Sequence, residues 1–223
     1  MPTKVKAISN PFDKRTLIVW GALVASMTLV SGVLLVLEPA PLAPSMGPVL
    51  TVLDNGPRGT DALFATSSPI RTGRWQTIVI DHSRSTYGSA QSLGQVHQQL
   101  GYGGLIYDFV IGNGDGANEG EIQSGYRWDR QLDSMLFASN DDPDAAWYNQ
   151  HAITICLIGN GDEAGFTDLQ LEQLVRLVTA LQDRLNIPSD RVLLQSNLTS
   201  TTSPGLHFPA SWFRQQLLNM DVR

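Results

Sequence analysis

The feature that most constrains this chain is an uncharged, apolar segment near its N-terminus, Thr16–Leu37. Its 22 residues, coiled into a helix that rises about 1.5 Å per residue, would span the roughly 30 Å hydrocarbon core of a bilayer. Lys14 and Arg15 come directly before the segment, whereas the next basic residue after it is Arg58. By the positive-inside rule, this asymmetry predicts a cytoplasmic basic tail at residues 1–15, a transmembrane helix at 16–37 and a body outside the cytoplasm.

A cleaved signal peptide is the alternative interpretation of the same segment. Signal peptides have an apolar region of about 7–15 residues, followed by a cleavage site with small residues. The apolar segment here is longer, although Ala43 and Ser45 follow it and provide a weak processing site. We therefore predict a single-pass membrane protein whose folded domain is periplasmic or otherwise extracytoplasmic.

The composition of the remaining chain indicates a folded, acidic domain. Hydrophobic residues make up 42% of the chain and charged residues 16%, which is too apolar for a disordered protein. Residues 16–223 contain 11 basic and 20 acidic residues, a net charge of −9, so no nucleic-acid partner is expected, because such a partner requires a basic surface. Four prolines between residues 39 and 48 predict a stiff tether at 38–73, followed by the domain at 74–223.

Short apolar runs that alternate with helical patterns predict an α/β fold with a mixed central β-sheet flanked by helices. The predicted strands are 75–81, 105–111, 152–158 and 192–194, and the predicted helices are 91–100, 168–185 and 211–218. Thr167 and Gln170 have the spacing of a capping box at the start of the second helix. The segment 123–147 is polar and irregular, and no helix is predicted there.

Several segments, in this order, resemble the zinc-dependent N-acetylmuramoyl-L-alanine amidases (type 2), a group that includes phage lysozyme-type amidases and the peptidoglycan recognition proteins. The resemblance covers about residues 74–215. Its segments are Ile78–Ser83 (IVIDHS), Gln95–Tyr102 (QVHQQLGY), Ile106–Gly112 (IYDFVIG), Asp115–Gly120 (DGANEG), Tyr148–Gly159 (YNQHAITICLIG) and Ser203–Gly205 (SPG). It implies a groove that holds a muropeptide.

The resemblance also implies a position for zinc, but with unusual side chains. The family holds zinc through two histidines and a third ligand before a Pro-Gly pair, with a water molecule as the fourth ligand. By position, the three ligands correspond to Asp81, Gln195 and Ser203. A neutral amide and a hydroxyl are poor zinc ligands, so no metal and no cofactor are expected. Tyr107 matches the family's active-site tyrosine and Thr201 matches a polar catalytic helper, roles that apply only if the protein is active.

The sequence therefore favours a binding module: a membrane-anchored, envelope-facing domain that binds peptidoglycan or a muropeptide without zinc-dependent hydrolysis. The predicted substrate-binding residues are Asp81, Tyr107, Asn149, Gln195 and Ser203.

Two other functions remain open. One is an active amidase with a non-standard zinc site, in which His82 and His207 join Asp81 as ligands. Strand alternation turns His82 to the face opposite Asp81, and only a β-bulge would bring it back. The other is a scaffold for a second envelope protein.

Overall fold

The computed structural model describes only part of the chain. The described residues are 19–20, 23–27, 51–52, 61–71, 73–137 and 143–220. The chain divides into two units, Met1–Pro44 and Ser45–Arg223. In the first unit, residues 19–20 and 23–27 are helical and solvent-exposed, while the predicted basic tail and the rest of the predicted span lie outside the described residues. None of the helices that the structure describes combines the length and the hydropathy needed to cross a membrane.

The second unit is built on a six-stranded mixed β-sheet with the order β1-β4-β3-β5-β2-β6. The strands are β1 (Thr51–Val52), β2 (Thr77–His82), β3 (Phe109–Ile111), β4 (Ile122–Ser124), β5 (Ala152–Leu157) and β6 (Val192–Leu194). Strands β3, β5, β2 and β6 are parallel, whereas β4 is antiparallel to β3 and to β1. Every residue of β2 and β5 is buried, which explains why apolar residues do not simply alternate with polar ones along these strands. Strand β2 contains three consecutive apolar residues, Ile78–Ile80, and β5 is apolar except for Thr154.

Helices cover the sheet. They are α1 (Ala90–Gln99), α2 (Tyr126–Arg130), α3 (Pro143–His151), α4 (Asp168–Leu185) and α5 (Ala210–Met220), with 3-10 turns at Ser189–Arg191 and Gln195–Asn197. The predicted capping box is confirmed: the Thr167 hydroxyl accepts the Gln170 backbone N–H, and the Gln170 side chain accepts the Thr167 N–H, each at 3.2 Å. The predicted mixed sheet flanked by helices is likewise confirmed.

Alternation along β2 assigns its side chains to the two faces of the sheet. Ile80 belongs to the main apolar cluster, which includes Leu177 of α4. Val79 lies in a separate cluster on the opposite face. Because neighbouring strand residues point in opposite directions, Asp81 shares the face of Val79 and His82 shares the face of Ile80.

Part of the segment predicted as a tether packs on the domain. Leu63 is fully buried in the main apolar cluster, and its carbonyl oxygen accepts a hydrogen bond from the Trp128 indole at 2.5 Å. Ser67 donates from its backbone N–H to the Asp129 carboxylate at 2.9 Å. Residues 61–71 therefore contribute to the core, although Pro69 and the polar residues around it indicated only a linker.

Two segments of the structure differ from the elements predicted from the sequence. The predicted strand 105–111 is reduced to the three residues of β3. Residues 105–107 are buried in a cluster with Cys156 and do not pair with a neighbouring strand. The segment 123–147 contains α2 and the start of α3. Helix α3 was not predicted because its apolar residues do not gather on one face.

Candidate functional site

A buried carboxylate forms the centre of the candidate site. Asp81, at the end of β2, is 1% exposed, and it accepts three hydrogen bonds. The Tyr107 hydroxyl donates to Oδ2 at 2.6 Å, the Ser203 hydroxyl donates to Oδ1, and the His82 backbone N–H donates to Oδ1 at 2.7 Å. All three partners are donors, so both oxygens of the buried carboxyl group have hydrogen-bond partners. We call Asp81, Tyr107 and Ser203 the carboxylate cluster.

Tyr107 and the preceding residue both contact His97 of α1. Its ring packs on that of His97 in α1, with the ring centroids 5.7 Å apart, and His97 Nδ1 accepts the Ile106 N–H at 3.4 Å. Burial raises the pKa of Tyr107 well above its ordinary value. The phenol therefore stays protonated at neutral pH and remains a hydrogen-bond donor to Asp81.

The residue after Tyr107 fixes this segment to the central strand β5. The Asp108 carboxylate accepts hydrogen bonds from the Thr154 backbone N–H at 2.8 Å and from the Thr154 hydroxyl at 2.9 Å. The Asp108 N–H donates to the Thr154 carbonyl at 3.0 Å. Asp108 is fully buried, and burial raises its pKa to about 6. The hydrogen bonds from Thr154 lower the pKa, but their effect is smaller than that of burial.

A tight turn follows β2 and carries an arginine that the sequence analysis missed. Arg84 has a φ of 56°, a left-handed conformation that costs a non-glycine residue roughly 1–2 kcal/mol. The Ser83 hydroxyl closes the turn by donating to the Ser85 carbonyl at 2.9 Å, and it accepts the Gly159 N–H at 3.1 Å. The exposed Arg84 side chain donates from Nη2 to the Thr201 hydroxyl oxygen at 3.0 Å. No sequence motif marks an arginine in this conformation.

Thr201 connects Arg84 to the carboxylate cluster. Its hydroxyl oxygen also accepts the backbone N–H of Ser203 at 3.3 Å, so one oxygen receives hydrogen bonds from both residues. Ser203 is fully buried, whereas Thr201 is only partly buried. Thr201 therefore links the exposed Arg84 to the buried Ser203.

His82 points away from the cluster and supports a close backbone contact. Its Nδ1 accepts the Gly161 N–H at 2.9 Å, and burial lowers its pKa, so the ring is neutral at pH 7. A Cβ atom on Gly161 would lie 2.0 Å from the Pro204 carbonyl oxygen. Only glycine allows the chain at residue 161 to approach the turn after Ser203 this closely.

The remaining predicted site residues are not hydrogen-bonded to the cluster. Gln195 follows Leu194, which pairs with Ile80, and its buried Oε1 has no hydrogen-bond partner among the described residues. Asn149 holds a loop instead: its side-chain amide donates to the Phe137 carbonyl at 2.9 Å and accepts the Phe137 N–H at 3.1 Å. The His207 side chain is exposed to solvent.

The donor set of the cluster consists of oxygen atoms: one carboxylate, one phenol and one hydroxyl. Across residues 61–71, 73–137 and 143–220, as in the other described parts of the chain, no three or more histidine, cysteine, aspartate or glutamate side chains form a group that could hold a metal ion. The arrangement satisfies a buried carboxyl group by hydrogen bonds from neutral groups.

Residues 71–206 match the family model of N-acetylmuramoyl-L-alanine amidase. Among solved structures, the chain is similar to the N-acetylmuramoyl-L-alanine amidase LysC from Clostridium intestinale URNW, with 23% identity and a TM-score of 0.55 over 65% of this chain and 86% of that chain. It is also similar to bumblebee PGRP-SA, with 20% identity and a TM-score of 0.51 over 66% and 85%. Drosophila peptidoglycan recognition protein SA gives 23% identity and a TM-score of 0.50 over 64% and 80%. At these identities the structural likeness shows the fold alone. A search of curated proteins gave no match.

Proposed function

Because this chain belongs over residues 71–206 to the N-acetylmuramoyl-L-alanine amidase family, we propose that its domain binds peptidoglycan or a muropeptide and does not hydrolyse it with zinc. The observation that carries the proposal is the carboxylate cluster. At the position where the family holds its metal, Asp81 is already satisfied by hydrogen bonds from Tyr107 and Ser203.

The side chains at this position do not fit a catalytic zinc ion. Asp81 supplies the one charged donor, and both of its oxygens already accept hydrogen bonds. Ser203 would have to lose its proton or its hydrogen bond to bind a metal, and Gln195 offers only a neutral amide. Without a metal to activate water, the family's hydrolysis has no nucleophile at this position.

The rearranged site based on histidine receives little support from the geometry. His82 Nδ1 accepts the Gly161 N–H, and its buried Nε2 has no hydrogen-bond partner among the described residues. Strand alternation places the ring on the face of the sheet opposite Asp81. His207 is exposed, and its backbone N–H, not its ring, contacts the Gly161 carbonyl at 2.8 Å. Both histidines would have to move before they could share a metal with Asp81.

The experiment combines three measurements on the full-length protein. Zinc titration calorimetry should show no stoichiometric binding, muropeptide digestion should release no free stem peptide, and sedimentation with purified peptidoglycan should recover the protein in the pellet. A triple variant with Asp81→His, Gln195→His and Ser203→Cys is the matched control, and it should gain zinc affinity.

Each failure has a distinct meaning. Tight stoichiometric zinc with release of stem peptide would make the protein an active amidase, and His82→Ala and His207→Ala would then test the rearranged ligand set. Absence from the peptidoglycan pellet, together with capture of a protein partner, would instead favour the scaffold role.

We also propose that residues 16–37 anchor the domain in a membrane, with the N-terminus in the cytoplasm and the domain outside it. The supporting observations are the length of the uncharged segment and the basic residues directly before it. Protease added to intact spheroplasts should digest the domain, while an N-terminal tag should remain protected. Digestion of the tag alone would reverse the topology, and a shortened N-terminus would indicate cleavage.

A further inference from the structure

We infer that a groove between α4 and α5 binds a basic, amphipathic helix of a partner protein. Both helices pack through their buried residues on the main apolar cluster, which includes Ile80, whereas Asp81 points to the other face of the sheet. The groove therefore lies on the side of the domain away from the carboxylate cluster. The inference is independent of muropeptide binding.

The groove has the length and the shape of a helix-binding surface. It has a volume of about 910 Å³. The α4 residues that line it recur three or four positions apart from Asp168 to Asp183, so they form one stripe along the helix. At about 1.5 Å per residue this stripe is roughly 22 Å long, enough for about four turns of a bound helix. Pro209, Trp212 and Gln216 form the other wall.

An exposed tryptophan lies in the wall of this groove. Trp212 is 39% exposed, whereas Trp75 and Trp128 are buried in the core. The opposite wall offers Leu171 and Val175 of α4, so the indole is next to apolar side chains. Tryptophan is enriched among the residues that contribute most to protein–protein binding, because a partner buries a large ring at little entropic cost.

The charges along the groove are mainly negative. Asp168, Glu172 and Asp183 are exposed and line it, against one basic residue, Arg176. None of the three carboxylates forms a salt bridge in the described part of the chain. An apolar groove with a net charge of −2 is complementary to a helix that carries leucine-like side chains on one face and lysine or arginine at its edges.

Other occupants of the groove have the wrong charge or the wrong location. In a symmetric dimer the same patch would face itself, which would bring like charges together. An anionic lipid surface would be repelled for the same reason. Residues 1–15 are basic, with a net charge of +3, but the proposed topology places them across the membrane from the domain. Residues 38–50 contain no basic residue.

The test uses the full-length protein in nanodiscs of zwitterionic lipid, with empty nanodiscs as the background. The probe is a labelled peptide of about 15 residues, with leucines on one helical face and lysines on the other, and its binding is measured by fluorescence anisotropy. A second peptide keeps the leucines and has glutamate in place of every lysine. The lysine peptide should bind about tenfold or more tightly than the glutamate peptide at low salt, and added salt should reduce this difference.

Variants locate the binding to the groove. Trp212→Ala should weaken binding of the lysine peptide about tenfold or more. Its control is Leu218→Ala, which removes an exposed apolar side chain of the same helix outside the groove and should bind as the wild type does.

Glu172→Lys tests the charge at the groove and should weaken binding about threefold or more. Its control is Asp115→Lys, which changes the net charge equally at an exposed residue that does not line the groove, and it should bind nearly as the wild type does. Because Glu172 is exposed, Glu172→Lys decides the question if Trp212→Ala does not fold.

Three results would overturn the inference. The lysine peptide could fail to bind the wild-type protein, or Trp212→Ala and Glu172→Lys could weaken binding no more than their controls do. A third result is a dimer in sedimentation velocity that Trp212→Ala dissociates, because a second copy would then occupy the groove. None of these results bears on the proposed function, which sedimentation with peptidoglycan tests separately.

Discussion

Replacing Tyr107 with phenylalanine removes one hydroxyl group from the carboxylate cluster while keeping the aromatic ring. The lost bond is short, 2.6 Å, and its acceptor is a carboxylate that is 1% exposed, so water cannot replace the donor. Hydrogen bonds to charged groups contribute about 1.5–3 kcal/mol, and leaving a buried charge without its donor costs the same order. For a domain of this size, that loss corresponds to a decrease in Tm of roughly 3–12 °C.

Tyr126→Phe is the matched control in a thermal-unfolding assay at pH 7. It also removes one tyrosine hydroxyl, but the Tyr126 bond is 3.3 Å long and goes to the Gly103 carbonyl, so the expected loss is only about 0.5–1.5 kcal/mol. Equal Tm values for the two variants would show that Asp81 does not depend on the phenol. The Tyr107–Asp81 bond would then not be what holds the carboxylate cluster together.

Three further changes test the structure at other positions. Burial raises the pKa of Asp108 to about 6, above its unfolded value, so its contribution to stability is complete below about pH 4 and is lost as the pH rises through 6. Between pH 4 and pH 7 this effect should lower the free energy of unfolding by about 3 kcal/mol. Asp108→Asn should remove that decrease when unfolding by urea is measured at both pH values. If the variant shows the same decrease as the wild type, the prediction is contradicted. Thr167→Ala removes the cap of α4 and should lower the free energy of unfolding by about 1 kcal/mol, so an unchanged urea midpoint would argue against the capping box. Gly161→Ala brings a Cβ to 2.0 Å from the Pro204 carbonyl and should cost about 1–3 kcal/mol, whereas Gly165→Ala, whose nearest neighbour is 4.0 Å away, should unfold as the wild type does.

The parts of the fold that were predictable from sequence are those with a strong local or periodic signal. Strands β2 and β5 contain short apolar runs. The start of α4 is marked by Thr167 and Gln170, whose side chains bond the backbone within one turn. Such signals depend on neighbours in the chain. The order of the motifs then supplied the family resemblance, which the match over residues 71–206 confirms.

The parts that were not predictable depend on distant contacts. Helix α3 has no apolar face of its own, and Asn149 within it bonds the backbone of Phe137, which no pattern in the sequence indicates. The left-handed turn at Arg84 is set by Ser83 and Gly159, the latter 76 residues further along the chain. Strand alternation did predict that His82 would face away from Asp81, because that rule requires only the strand itself.

The ribosome synthesises Asp81 well before Ser203, because the two residues that form this hydrogen bond are 122 positions apart in the chain. The serine follows β6, the edge strand that joins the sheet beside β2. In a nascent chain that has already paired β2 with β5, the Asp81 carboxyl group still lacks the hydrogen bond from the Ser203 hydroxyl. The Ser203–Asp81 bond can therefore form only after β6 and the turn that follows it have been synthesised, so a chain that stops before residue 203 lacks this donor to its buried carboxylate.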